Sequence, residues 1–252
     1  MFVQRLNWAG VLVRYNQTTI VIDPLYYVNE GFFGKTHETF HSLDEFGPVD
    51  AVLVTHVHSD HFDHKAIVTF YGKHTPVFLP SESAEAAKST ELTNVTGVAK
   101  HQSIEIGDLT ITATYAVDGL GDPQISWIVQ AGEAKLIHTG DTLWHGYWWK
   151  IAEEYGPIDI ACLPVNAAMI QEEGVIPSHQ PICLTPEQAV AAGAILKAKW
   201  LLPIHYGAFH NPPGYQQTPD ILTRLTASAK ERDLSLLLLK SSESFEIASC
   251  CQ

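Results

Sequence analysis

The sequence predicts an α/β fold in which two β-sheets lie face to face and helices cover their outer surfaces. Short runs of β-branched and aromatic residues, typical of strands, occur in both halves of the chain, with helical segments between them. The 252 residues, 46% of them hydrophobic, are enough to bury one large core. No repeat, low-complexity linker or block of charge divides the sequence, so we expect one domain over residues 1–252.

The first half of the chain is predicted to consist mainly of strands. Gly10 and the pair Asn16-Gln17 break its opening segment into short strands. Asp63 is placed to cap a helix that follows a cluster of histidines. The predicted strands cover residues 2–8, 10–15, 19–22, 49–55, 76–79 and 109–115, and the predicted helices cover residues 64–71 and 81–88.

In the second half, helices alternate with strands. The clearest helix begins at Thr185, whose side chain can cap it, and Pro186 and Gln188 suit its first turn. The predicted strands cover residues 126–130, 135–139, 158–163, 200–204 and 234–239, and the predicted helices cover residues 147–155, 185–197 and 219–232. This alternation favours helices on the outer faces of the two sheets.

A long connection between residues 24 and 48 has weak periodicity and six aromatic side chains. Loops of this length in compact domains are usually lids or contact surfaces. An irregular loop that packs its rings on its own core fits the same pattern equally well. Both interpretations remain open at the level of the sequence.

The charge of the chain limits its partners. With 15 Lys and Arg against 28 Asp and Glu, the net charge of −13 disfavours binding to nucleic acid, because a protein that binds it needs a basic face.

The sequence starts without a signal-peptide pattern and contains no apolar run of ~18 residues. Its cysteines, Cys162, Cys183 and the pair Cys250-Cys251, match no zinc-ribbon or redox motif. We expect a cytoplasmic protein with reduced thiols and a small-molecule substrate, acting without nucleic acid or membrane, and leave homo-oligomerisation open.

Four residues with metal-binding side chains, His56, His58, Asp60 and His61, occur within six positions after an apolar strand. In extended geometry His56 and His58 point the same way, because side chains alternate along a strand. The two histidines can hold one metal ion, and Asp60 with His61 can hold a second. Imidazole and carboxylate ligands suit zinc, manganese or iron(II). Such a density of ligand types is rare by chance among ordinary polar loop residues.

The segment from Thr55 to Asp63 resembles the Thr-His-x-His-x-Asp-His-x-Asp motif of the metallo-β-lactamase superfamily. This resemblance implies a four-layer αββα sandwich and two divalent metal ions. Two later segments are also similar to family motifs, and they imply that Asp141 bridges both ions and that His205 completes the second site. Asp23 is implied to orient a ligating histidine from behind. The subgroups that the sequence resembles most are the L-ascorbate-6-phosphate lactonase-like and N-acylphosphatidylethanolamine phospholipase D-like hydrolases.

One ligand position departs from the pattern of these subgroups, which usually place a further histidine on the first metal after a central strand. Asp118 occupies that place here, and we expect its carboxylate to act as the third ligand. A turn residue before Gly119 is the alternative, and His101 is a second candidate for the ligand. An oxygen ligand would shift the preference towards manganese or iron.

Three other histidines are candidates for supporting or substrate-binding roles. His138 precedes Asp141 by three residues on a strand, so we expect it to be buried on the opposite side, with a hydrogen bond to a ligand left open. His145 and His179 lie in predicted loops, where they can face the substrate. The aromatic residues between 144 and 149 can wall a pocket or anchor the following helix, and we favour the anchor.

The resemblance implies a metal-dependent hydrolase in which metal-bound hydroxide attacks an electrophilic centre. Asp60 is the expected catalytic residue, because it would bind a metal ion and orient the nucleophile. A lactone or ester of a small metabolite is the first choice of substrate. A phosphodiester is the alternative, and a non-catalytic metal-binding protein on the same fold is a third interpretation.

Overall fold

The computed structural model describes residues 1–172, 174 and 176–247. Within these residues, sixteen strands form two seven-stranded sheets and one two-stranded sheet. In chain order the strands are β1 (Phe2–Arg5), β2 (Val11–Tyr15), β3 (Thr18–Ile22), β4 (Ala51–Leu53), β5 (Val77–Pro80), β6 (Val95–Val98), β7 (Ser103–Ile106), β8 (Leu109–Tyr115), β9 (Ile125–Ala131), β10 (Ala134–His138), β11 (Ile160–Pro164), β12 (Met169–Ile170), β13 (Trp200–Ile204), β14 (Tyr215–Gln216), β15 (Ser235–Leu236) and β16 (Ser244–Glu246).

The helices are short in the first half of the chain and longer in the second. They are α1 (Glu30–Phe33), α2 (His64–Ala66), α3 (Ala84–Ala87), α4 (Trp148–Tyr155), α5 (Pro186–Ile195) and α6 (Ile221–Glu231), with 3-10 turns at Leu43–Phe46 and Ser81–Ser83 and a π-helical segment at Ile67–Tyr71. The longest described helix, α6, has 11 residues and is far too short to cross a bilayer.

The first sheet has the strand order β16-β1-β2-β3-β4-β5-β6, and the second has the order β15-β13-β11-β10-β9-β8-β7. In the first sheet, β3 to β6 are parallel, and β1, β2 and β16 pair antiparallel. In the second sheet, β10, β11, β13 and β15 are parallel, while β7 to β10 pair antiparallel. The carboxyl ends of β8, β10, β11 and β13 therefore meet at one edge.

Three apolar clusters define four layers, which confirms the predicted αββα sandwich. The central cluster joins the facing sides of both sheets, with Val13 and Ile22 of the first packed against Ile111 and Trp127 of the second. A second cluster fills the space between the second sheet and helices α4 to α6. A third covers the outer face of the first sheet with the segments after β3 and β4. Because both faces of each sheet are covered, the central strands are buried throughout.

Both predicted helix caps are confirmed. The Asp63 carboxylate accepts a hydrogen bond from Ala66 N at 2.9 Å and begins α2. At the start of α5, Thr185 Oγ1 accepts from Gln188 N at 3.2 Å, and Gln188 Oε1 accepts from Thr185 N at 3.0 Å. The predicted helix over 64–71 continues beyond α2 as the π-helical turn.

The first strand ends earlier than predicted, at Arg5, because the chain turns back at once. Leu6 N donates to Gly10 O, and Gly10 N donates to Asn7 O, each at 2.8 Å. A Cβ at position 10 would lie 2.9 Å from the Leu6 Cβ, so glycine permits this close turn. The turn places Trp8 in the core with a φ of 57°.

The connection over residues 24–48 packs its rings on the body of the protein. Phe33 contacts Phe209 and Tyr215, with ring centroids 4.9 and 5.1 Å apart, and Tyr26 contacts Phe70 at 5.1 Å. Of the two interpretations that the sequence left open, these contacts favour the irregular loop packed on its own core. Cys162 and Cys183 are buried free thiols, whereas the pair Cys250-Cys251 lies outside the described residues.

Candidate metal centre

Seven imidazole and carboxylate side chains come together at the edge where strands β4, β8, β10 and β13 end. They form two groups, and within each group the candidate ligand atoms all lie within 4.8 Å of one another. The first group contains His56, His58, Asp118 and Asp141, and the second contains Asp60, His61 and His205. The structure thus places the two halves of the His56–His61 run in different groups.

In the first group, two histidines face two carboxylates. His56 Nε2 lies 3.5 Å from Asp141 Oδ1, and His58 Nδ1 lies 3.6 Å from Asp118 Oδ2. The two imidazole rings are 4.5 Å apart and nearly perpendicular. His58 is the most exposed of the seven side chains, at 25%, so the centre opens to solvent on its side.

In the second group, two imidazoles converge on one carboxylate oxygen. His205 Nε2 and His61 Nε2 lie 3.3 and 3.6 Å from Asp60 Oδ2. His61 also joins the groups, since its ring centroid is 4.2 Å from that of His56 and 5.1 Å from that of His205. The two groups are therefore adjacent.

Asp23 fixes the orientation of His61 from behind. Its Oδ2 is 2.8 Å from His61 Nδ1 and accepts a hydrogen bond from Thr55 Oγ1 at 2.6 Å, while its Oδ1 accepts from Thr55 N at 2.8 Å. Thr55 Oγ1 in turn lies 3.1 Å from His56 Nδ1. The Nδ1 atoms of both histidines are thereby engaged, which leaves their Nε2 atoms directed into the centre.

Asp122 and the backbone hold the open side of the first group. Asp122 Oδ2 contacts His58 Nε2 at 2.8 Å, so the other ring nitrogen faces Asp118. Asp118 Oδ1 accepts hydrogen bonds from Leu120 N at 2.7 Å and from Asp122 N at 3.0 Å. Asp118 therefore has the geometry of a turn residue through Oδ1. Its Oδ2 faces into the first group, as a metal ligand requires.

Two neutral side chains support the second group. The Trp8 indole N–H donates to Asp60 Oδ2 at 3.1 Å, and the Trp8 ring packs 4.2 Å from the His205 ring. Asn166, after β11, places its Oδ1 3.3 Å from His205 Nδ1. His205 itself has a φ of 57°, a strained conformation for a residue other than glycine.

The electrostatics of the centre are strongly coupled. Burial and the neighbouring His61 hold the pKa of His56 well below its usual range. Burial also lowers the pKa of His61, but the carboxylates of Asp60 and Asp23 outweigh it and raise that pKa to about 10. Burial raises the pKa of Asp141. For Asp60 the nearby imidazoles overcome burial and hold the pKa far below its usual range, so this group stays ionised.

The inward atoms of this cluster fit a divalent cation. His56 Nε2, His61 Nε2, Asp118 Oδ2 and Asp141 Oδ1 are buried and have no hydrogen-bond partner among the described residues. Buried polar atoms are costly without partners. The contacts of 3.3 to 3.6 Å between ligand atoms match the spacing of about 3.3 Å across a tetrahedral site with bonds of ~2.0–2.1 Å. The donor set of imidazole and carboxylate suits zinc, manganese or iron.

His101 and His138 lie outside both groups. The His101 ring is exposed, with Nδ1 3.3 Å from the Tyr155 hydroxyl and 3.6 Å from Glu154 Oε2. His138 is buried, places Nε2 2.8 Å from Ala9 O and accepts at Nδ1 from the backbone of Gly140. Its Nδ1 is 4.0 Å from the Asp23 carboxylate, too far for a hydrogen bond.

His145 and His179 also lie outside the two groups. The His145 ring stacks on Trp148 at 4.3 Å and accepts at Nδ1 from Tyr147 N, and burial lowers its pKa to about 4. His179 is exposed on its loop. In the aromatic run 144–149, Trp148, the first residue of α4, is completely buried in the apolar cluster between this helix and the second sheet, as an anchor requires, whereas Trp144 is 37% exposed.

Sequence reasoning missed Trp8, Asp122 and Asn166. Each lies outside the recognised motifs, and no local pattern distinguishes it from ordinary turn or loop residues. Asp122 has one weak signal, since it follows Asp118 by four residues in a glycine-rich turn.

A four-layer sandwich with paired His and Asp groups at its strand ends is typical of the metallo-β-lactamase fold. A family model described as "Beta-lactamase superfamily domain" matches residues 18–206. The chain therefore belongs to the metallo-β-lactamase superfamily, and it is a metal-dependent hydrolase.

A curated relative agrees with this assignment, and two solved structures share the fold. A "UPF0173 metal-dependent hydrolase" from Rubrobacter xylanophilus is 28% identical over 229 residues, which cover 86% of this chain and 83% of the relative. An isothiocyanate hydrolase from Delia radicum gut bacteria has 18% identity and a TM-score of 0.77, covering 99% of this chain and 100% of the other. CmlA, a diiron β-hydroxylase from Streptomyces venezuelae, has 15% identity and a TM-score of 0.73, covering 98% of this chain and 54% of CmlA. At these identities the two structures show the shared fold alone.

Proposed function

We propose that this enzyme hydrolyses a lactone or ester of a small metabolite at a centre that holds two divalent metal ions, zinc or manganese or, alternatively, iron. The observation that carries the proposal is the pair of adjacent groups, in which four buried atoms have no hydrogen-bond partner among the described residues: His56 Nε2, His61 Nε2, Asp118 Oδ2 and Asp141 Oδ1. His56, His58 and Asp118 would hold the first ion. Asp60, His61 and His205 would hold the second, and Asp141 would bridge the two. These seven residues correspond to the ligands expected from the superfamily motif, with Asp118 in place of a histidine.

When bound, the two cations would lower the pKa of a water molecule and polarise the carbonyl group of the substrate. Asp60 contributes a carboxylate that stays ionised, so it can accept a hydrogen bond from the attacking water and orient it. The Trp8 N–H holds the same carboxylate in place at 3.1 Å. Asp23 is buried and hydrogen-bonded to Thr55 and His61, and it keeps the His61 imidazole directed inward. Because Asp60 is so acidic, its role is to position the water rather than to remove a proton fully.

A small substrate is consistent with the charge of −13 and with the opening at His58. The lactonase-like assignment within the superfamily and the cytoplasmic location are part of this proposal, and homo-oligomerisation stays open. His145 and His179 are substrate-binding candidates only through their loops, since neither has a hydrogen bond, ion pair or ring contact with the seven side chains among the described residues.

The substitution Asp60→Asn tests the role of this carboxylate. We expect kcat to fall by at least about 100-fold while the circular dichroism spectrum stays that of the wild type. Asp159→Asn is the matched control, because Asp159 is a buried aspartate at the amino end of β11, bonded to Lys199 at 2.6 Å. Near-wild-type turnover of a folded Asp60→Asn protein would overturn the proposed role.

Metal analysis and a substrate panel test the wider proposal. We expect close to two ions per chain by inductively coupled plasma mass spectrometry, and hydrolysis of a lactone and of 4-nitrophenyl acetate. Hydrolysis of bis-4-nitrophenyl phosphate alone would replace the ester with a phosphodiester. Inactivity on the whole panel, with one ion or none per chain, would favour a non-catalytic metal-binding protein.

A further inference from the structure

A cavity of about 240 Å³ lies on the open side of the metal centre. Its lining includes Asp118 and Asp122, the two carboxylates that contact the exposed ligand candidate His58. Glu82 and Lys100 also line it. A group held in this cavity is therefore next to the side from which solvent reaches the centre.

Lys100 is the one cation among the lining residues. Its ammonium lies 5.3 Å from the centroid of the Tyr115 ring, and within the described part of the chain no ion pair is found for it. An ammonium group has three hydrogen-bond donors, and a ring face occupies none of them fully. The Lys100 side chain is exposed, so these donors are accessible to a ligand that enters the cavity from solvent.

The acidic groups of the lining are already engaged. Asp118 Oδ1 accepts two backbone N–H groups, and Asp122 Oδ2 contacts His58 Nε2. Glu82 accepts a hydrogen bond from the Ser81 hydroxyl at 2.9 Å. Lys100 is thus the lining group with the most donor capacity left for a ligand.

We infer that this cavity binds a carboxylate group of the substrate and that Lys100 is a specificity-determining residue for it. The inference rests on the proposed function, because it names the class of ester or lactone that the same centre hydrolyses. A single carboxylate fits better than a phosphate dianion. The cavity offers one cation and no arginine, and the carboxylates of Glu82, Asp118 and Asp122 in the same lining oppose a second negative charge on the ligand.

Two esters of equal chain length test the inference with the metal-loaded enzyme. 4-Nitrophenyl hydrogen glutarate carries a terminal carboxylate, and 4-nitrophenyl valerate does not. We expect Lys100→Met to lower the ratio of kcat/KM for the glutarate ester to that for the valerate ester by about tenfold, the effect of one charge-assisted hydrogen bond. We expect Glu82→Gln to change the same ratio in the opposite direction, because it removes a repulsive charge.

Binding of glutarate, measured by isothermal titration calorimetry, gives a second readout that needs no turnover. Its Kd should rise about tenfold in Lys100→Met and stay unchanged in Lys150→Met. Lys150 is the matched control, since its ammonium also lies over the Tyr115 ring, at 6.0 Å, but does not line the cavity.

The outcomes separate this inference from the proposed function. If the wild type hydrolyses both esters and Lys100→Met leaves their ratio and the Kd of glutarate unchanged, only the carboxylate subsite is wrong. Equal effects of Lys100→Met and Lys150→Met would also overturn it, since they would reflect general surface charge. Failure of the wild type to hydrolyse either ester would count against the proposed function itself.

Discussion

Replacement of Asp23 by asparagine removes one charge and one hydrogen-bond acceptor from behind His61. The amide oxygen can still accept from Thr55 N, which lies 2.8 Å from Asp23 Oδ1. The amide nitrogen then takes the place of Oδ2, which lies 2.6 Å from Thr55 Oγ1 and 2.8 Å from His61 Nδ1. The Thr55 hydroxyl can rotate to accept a hydrogen bond from this amide nitrogen. His61 Nδ1 can accept one only if the imidazole takes its other tautomer, with the proton on Nε2.

That proton occupies the nitrogen that is directed into the second group, so a metal ion must displace it. Loss of a partner behind a ligating histidine typically costs about 10- to 100-fold in metal affinity. We therefore expect the Kd of the second ion to rise by about that factor, or about 1.4 to 2.7 kcal/mol. Folding stability should also fall, by about 1 to 3 kcal/mol, because a buried hydrogen-bonded charge is lost.

Competition with a chromophoric chelator, followed by metal analysis, measures the affinities of both ions in Asp23→Asn. Asp50→Asn provides the comparison, because its Oδ2 also accepts a backbone N–H in the first sheet, from Thr19 at 2.8 Å, away from the ligand groups. A folded Asp23→Asn protein that holds both ions with wild-type affinity would refute the assignment of Asp23.

Three further predictions concern stability. In Gly140→Ala the new Cβ would lie 2.6 Å from both Thr55 Oγ1 and Gln124 Nε2, at a φ of +63°, so we expect thermal melts to show a loss of about 1–3 kcal/mol. In the metal-free protein the carboxylate of Asp60 helps to raise the pKa of His61 from 6.5 to about 10 against the effect of burial. This contribution to stability is fully present below pH 6.5 and is lost as the pH rises towards 10, so the Tm should fall over that range, and less in His61→Gln. Removal of metal with EDTA should lower the Tm at neutral pH, because ions that bind the folded state stabilise it, and an unchanged Tm would contradict a metal-loaded centre.

The central strands and the second-half helices could be predicted from sequence because their patterns are local. Apolar runs identify the buried parallel strands, and the Thr185 capping box lies within four residues. The short strands β6, β7, β12, β14 and β16 were missed. β6 (Val-Thr-Gly-Val) and β7 (Ser-Ile-Glu-Ile) have four residues each, too few for a periodic pattern to identify them, and pairing with a neighbouring strand holds them in place.

The first part of the metal centre follows from the sequence by itself. Four ligand-type residues lie within six positions of one another, so covalent geometry alone keeps them close in space once the preceding strand ends: His56, His58, Asp60 and His61. Their side chains are ligand types, so the run indicates a metal site before any tertiary contact is known.

Only the tertiary structure decided which distant side chains support that run. His205 reaches Asp60 across 145 residues, and Asp122 reaches His58 across 64. The place of Lys100 beside Asp118 likewise depends on the shape of a cavity between separate segments. Such contacts arise because parallel strands distant in sequence end at the same edge of a sheet, and no local pattern encodes which of their loops meet there.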